Sequence, residues 1–129
     1  GCFGMAFEGE GIATRWIARL NNLRAMVTGI AFGDQAQFVR AEALRRIGGV
    51  PALMLMEDVE LSLRLKSAGR VVYLGQGVRA SGRRWQAGNL FRKIVTVLIL
   101  FVRFLVDRRL GRSERADQEY YRKYYHTAS

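Results

Sequence analysis

Apolar residues recur at Ile12, Trp16, Leu20, Leu23 and Val27, and steps of three and four place all five on one face of a helix over 12–27. Packing is the simplest use of such a face. Before it, the glycine-rich stretch 1–11 holds one strand candidate, 5–8. After it, Gly29 and Gly33 flank Ile30-Ala31-Phe32, and the polar pair Asp34-Gln35 precedes Phe38-Val39. That pattern predicts two short strands around a polar turn within 28–40. A short helix over 41–47 is then stopped by Gly48-Gly49 and Pro51.

The segment 59–66 carries two conflicting signals. Val59, Leu61, Leu63 and Leu65 alternate with Glu60, Ser62, Arg64 and Lys66, the period of a half-buried strand. Yet Leu, Glu, Arg and Lys are good helix formers, acidic residues open the segment, a lysine stands near its end, and Gly69 follows in the place of a C-cap. Helix is the expectation. Short strands are predicted at 71–74 and 78–80, separated by Gly75 and Gly77. From Leu90 to Val106 the chain is apolar on nearly every side, interrupted by Arg92, Lys93, Thr96 and Arg103. Its uninterrupted part is short for a membrane span, which needs about 20 apolar residues. A polar, aromatic tail from Ser113 carries Tyr120, Tyr121, Tyr124 and Tyr125 around Arg122 and Lys123. No internal repeat is visible.

Half of the 129 residues are apolar, enough for one compact domain and too many for a disordered chain. Cys2 is the single cysteine, so no internal disulfide can form, and without a histidine cluster a zinc site is not expected. A reducing compartment, the cytoplasm, fits best. The first residue is Gly, and no charged stretch leads into an apolar one, so no signal peptide is expected here and the natural start is expected upstream. The formal charge of +10 is concentrated: between positions 70 and 112, Arg70, Arg79, Arg83, Arg84, Arg92, Lys93, Arg103, Arg108, Arg109 and Arg112 are opposed only by Asp107. Such a block suits nucleic acid, anionic lipid or phosphorylated small molecules.

Four motifs then stand in order: Gly33-Asp34-Gln35-Ala36-Gln37-Phe38-Val39-Arg40, Gly48-Gly49-Val50-Pro51, Met56-Glu57-Asp58-Val59-Glu60-Leu61-Ser62, and Ser81-Gly82-Arg83-Arg84-Trp85. Together they resemble family 2 glycosyltransferases, most of all the small bacterial members, over nearly the whole chain and most clearly over 24–110. The resemblance implies an α/β fold, the C-terminal, acceptor-side half of a GT-A sandwich, with short mixed strands, packing helices and a C-terminal helical segment. It divides the chain into a partial catalytic domain over 1–112 and a helical tail over 113–129. The family's nucleotide-binding half has no counterpart here. Its Asp-x-Asp motif, which holds a divalent metal (Mg or Mn) on the donor pyrophosphate, is absent, so no metal ligand is assigned in this chain.

What the resemblance implies chemically is transfer of a sugar from a nucleotide-sugar to a hydroxyl acceptor. An inverting transfer needs a carboxylate to take the acceptor's proton as it attacks the anomeric carbon. Asp58 is the expected base, with Glu57 orienting the acceptor or tuning Asp58. The bland alternative is that both carboxylates only cap a helix. Asp34 and Gln35 are expected at the acceptor, against a turn in which Asp34 bonds its own backbone. Arg83 and Arg84 are placed to neutralise the leaving diphosphate and Trp85 to stack on a sugar, against a solvated basic turn with a core tryptophan. Ser81 stands where processive members carry Gln, which argues against a polymer synthase. His126 is expected to be solvated, and the tyrosines to pack or form an interface.

A different class of function stays open: a non-catalytic basic module on a membrane surface or nucleic acid, with nucleic acid the less favoured. The stretch 90–106 is read as a buried or interfacial helix, and its flanking basic residues suit anionic lipid headgroups, giving peripheral attachment at the inner face of the membrane. An isolated half-fold leaves an open edge and an apolar face, so homo-oligomerisation is expected.

Overall fold

Strands and helices share the chain in the order β1 (Cys2–Glu8), α1 (Ile12–Thr28), a 3-10 turn (Gly33–Gln35), α2 (Ala41–Arg46), α3 (Glu57–Ala68), β2 (Tyr73–Ser81), α4 (Leu90–Arg109) and α5 (Ser113–Thr127). The structure, a computed structural model, describes residues 1–8, 11–82 and 89–127. This is an α/β protein in two compact units, Gly1–Pro51 with Asp58–Gly82, and Ala52–Glu57 with Arg83–Ser129.

In the first unit β1 and β2 pair in parallel, the only pairing among the described residues. Cys2 stands opposite Tyr73 and Phe3 opposite Leu74, but Gly4 meets Gln76 and Met5 meets Val78. Gly75 and Gly77 are therefore the extra residues of two successive register shifts. The two strands expected at 71–74 and 78–80 are one strand, and the glycines that looked like separators are bulge residues within it. The tight approach is at Gly77 and Gly4: a Cβ on Gly77 would press on the Phe3 ring, and one on Gly4 would collide with the Gly75 carbonyl, whereas one on Gly75 would meet open space.

Helix α1 forms where its 3.6-residue period predicts and closes at Gly29, which takes the left-handed conformation (φ 68°) and donates its N–H to the Ala25 carbonyl. The packing expected of its apolar stripe is overturned. Ile12, Trp16, Leu20, Leu23 and Val27 are 52–75% exposed, while Thr14, Ala18 and Ala25 are buried. Small residues turn inward because the helix lies close on β1. Asn22 Oδ1 accepts from Met5 N at 2.9 Å and its Nδ2 donates to Met5 O at 2.9 Å, as a neighbouring strand would. Cys2, Ala25 and Ala31 form the buried core there, with Tyr73 packed against them.

The two strands expected within 28–40 do not form. Side chains take the backbone groups that a ladder would use: Ile30 N donates to Thr28 Oγ1, Ala31 N to Ser62 Oγ, Phe32 N to Gln35 Oε1 and Gly33 N to Asp58 Oδ2. Only Phe38 makes strand-like bonds, giving its N–H to Gly1 O and accepting from Gly1 N. Helix α2 forms as expected, and Gly48 and Gly49 after it both have positive φ. In α3 helix propensity wins over alternation. Val59, Glu60 and Ser62 are buried, Gly69 N caps Leu65 O, and Lys66 Nζ reaches the Thr28 carbonyl at 2.8 Å.

The second unit is built on α4 and α5. Asn89 caps α4 by accepting from Arg92 N. Leu100 and Phe104 are buried, and the Phe104 ring meets buried Tyr120 edge-on at 6.3 Å between centroids. The Tyr120 hydroxyl donates to Asp107, and burial together with that carboxylate pushes the phenol well above its usual range. Arg103 forks onto Glu119 at 2.9 and 3.0 Å. Asp117 accepts from Met54 N and Leu55 N at 2.7 and 3.0 Å, which fastens 52–57 to α5. Among the described residues no helix is long and apolar enough to cross a membrane.

Candidate functional site

The acidic pair opens α3, with Glu57 its first residue and exposed, and Asp58 its second and half-buried. Asp58 reaches back over 25 residues: its Oδ2 accepts from Gly33 N at 2.6 Å, and its Oδ1 accepts from Val59 N at 2.7 Å. The carboxylate thus ties the start of α3 to the 3-10 turn. The turn brings Asp34 and Gln35 to the same place, which joins the first and third sequence motifs in one site.

Gln35 is fully buried and spent on the protein. Its Oε1 accepts from Phe32 N at 3.2 Å and from Arg24 at 3.1 Å, so it holds the turn in shape. Asp34 is different. Its Oδ1 is buried with no hydrogen-bond partner among the described residues, and burial raises its carboxyl above the usual range, opposed by Arg24 and by a backbone N–H. A buried acceptor without a donor is the group in this site most able to receive one.

Arg24, which sequence reasoning did not single out, organises the site. It projects from the inner face of α1, donates to Ile30 O at 2.7 Å, and lies 3.5 Å from the Phe32 ring centroid. Burial lowers its pKa, opposed by Asp34 and Asp58, so one guanidinium acts on both carboxylates. Gln37 supports the same wall, donating to Ala31 O at 3.1 Å and Asp58 O at 3.0 Å. The signal for Arg24 was its place off the apolar stripe of α1, legible only once the helix's orientation was known, while Gln37 stood unremarked within the first motif. The backbone is strained on both flanks: Ala36 and Met56 are the non-glycine residues with positive φ among those described, at 42° and 63°.

Arg83, Arg84 and Trp85 lie outside the described residues, as does the His126 side chain. The tyrosines separate: Tyr120 is core, while Tyr121 and Tyr125 are exposed with ring centroids 4.5 Å apart. No group of three or more His, Cys, Asp or Glu among the described residues is placed to hold a metal ion. With Asp58 taken up by backbone N–H groups and Asp34 set beside a guanidinium, this site does not fit a divalent cation. Its carboxylates face hydrogen-bond donors instead. Comparison with family models, curated proteins and solved structures finds no match to this chain.

Proposed function

We propose that this chain is the acceptor-side half of a GT-A glycosyltransferase, in which a sugar passes from a nucleotide-sugar to a hydroxyl. One observation carries the reading: Asp58 is latched through Gly33 to a turn that presents Asp34 and its buried oxygen without a partner among the described residues. Asp58 serves as the base, because it stands half-buried at the start of α3, held against the turn that carries Asp34. Asp34 receives a second hydroxyl of the acceptor. Gln35 and Arg24 keep these carboxylates in register, and Glu57 is the exposed neighbour of Asp58 at the start of α3. The donor belongs to a nucleotide-binding half, which also supplies any metal.

The test is Asp58→Asn in a protein joining this chain to such a half. Sugar transfer should fall by roughly 10²–10⁴-fold, the usual weight of general-base catalysis, while nucleotide binding persists. Turnover at the unaltered rate would remove Asp58 from the role of base and leave it a cap.

A further inference from the structure

Helix α4 has an unusual outer face. Phe91, Leu98, Ile99, Val102 and Val106 are 50–76% exposed and fall on one arc, with Leu100 and Phe104 turned inward. At a rise of about 1.5 Å per residue the arc runs roughly 22 Å, and no charged side chain interrupts it between Arg92 and Arg109. Basic residues close both ends: Arg92 and Lys93 at the start, Arg108, Arg109 and Arg112 at the finish. What sets this face apart from the exposed stripe of α1 is the basic closure at both ends, the pattern of an interaction surface.

The charges of the same unit indicate which partner. Its Arg and Lys outnumber its Asp and Glu about two to one. Three of its five acidic groups are also spent internally, Asp107 on Tyr120 and Arg103, Asp117 on Met54 and Leu55, Glu119 on Arg103 and Lys123, which leaves Glu57 and Glu114 exposed. Arg109, Arg112, Arg115 and Arg122 stay exposed. A second copy seated on this face would bring arginines at the helix ends against arginines, in either orientation. Nucleic acid would match the charge but leave the apolar arc in water. A bilayer with anionic headgroups satisfies both at once, taking the arc into its acyl boundary and the end residues against its phosphates.

We infer that the outer face of α4 docks this protein flat on an anionic lipid surface. The inference is independent of the glycosyl-transfer reading and uses none of that site's residues. It is tested by flotation with phosphatidylcholine vesicles, with and without phosphatidylglycerol, across a salt series. The chain should float with the anionic vesicles, less so as salt rises. Leu98→Gln with Val102→Gln, both at exposed positions and checked for folding by circular dichroism, should weaken partitioning by roughly tenfold or more. Arg109→Glu with Arg112→Glu should weaken it and flatten the salt dependence.

Failure to float, or flotation that ignores the Leu98/Val102 change, overturns the inference. A dimer in sedimentation that the Leu98/Val102 change dissociates, without vesicle binding, overturns it in favour of self-association. Duplex DNA bound equally by both forms, without vesicle binding, overturns it in favour of nucleic acid.

Discussion

The Asp34 carboxyl is held buried beside Arg24 in the turn that opens the site. Burial pushes its carboxyl above the 3.8 of a free one, and the opposing pull of Arg24 and a backbone N–H does not cancel this. A carboxyl whose folded value is raised adds stability below its unfolded value, and loses that contribution as pH rises through the folded one. Ionising Asp34 therefore weakens the fold. Asp34→Asn should raise the urea midpoint at neutral pH and flatten the fall in stability above a pH of about 4. On the proposed glycosyl-transfer reading, the same change in the joined protein should lower transfer, because the amide presents a donor where that reading needs a carboxylate. A stability curve unaltered by Asp34→Asn would show that this carboxyl is not strained by burial.

Helix α1 separates what a hydrophobic period reveals from what it conceals. The spacing of Ile12, Trp16, Leu20, Leu23 and Val27 identified a helix, but the stripe faces outward and the contact with β1 is made by Ala18, Ala25 and Asn22. Substitutions should follow the structure. Leu23→Gln should change stability by less than about 0.5 kcal/mol, whereas Ala25→Leu, at 1% exposure, should cost about 1–3 kcal/mol through overpacking. Equal losses in urea unfolding would mean that the stripe packs after all. The same division runs through the rest of the chain. Helices α2, α3 and α4 were legible because propensity and glycine stops are local. The segment 28–40 was not, because its backbone is held partly by its own Thr28 and Gln35 and partly by Asp58 and Ser62, which are distant in sequence. Gly75 and Gly77 read as breaks because a bulge and a turn draw on the same residue. In the site, Asp34 and Asp58 were visible as motif positions, but Arg24, which acts on both, carried no motif of its own.

At the scale of the whole chain, the path crosses between two compact units more than once. Residues 52–57 leave the first unit, join α4 and α5, and return directly into α3. Asp117 makes this crossing specific, since its carboxylate accepts both Met54 N and Leu55 N and is itself 7% exposed. Each unit also has its own buried set: Cys2, Ala25 and Ala31 in one, Leu100, Phe104 and Tyr120 in the other. Separate cores imply separate opening reactions, each with its own free energy. Asp117→Ala strips two backbone donors of their acceptor and should cost the second unit about 2–3 kcal/mol, the range for hydrogen bonds to a charged group. In native-state hydrogen exchange, amides of α4 and α5 should then lose roughly 30-fold or more in protection, at about 1.4 kcal/mol per tenfold, while those of β1 and β2 keep theirs. Protection lost equally across both sets would show that the two cores open as one, and that the strap at 52–57 couples them.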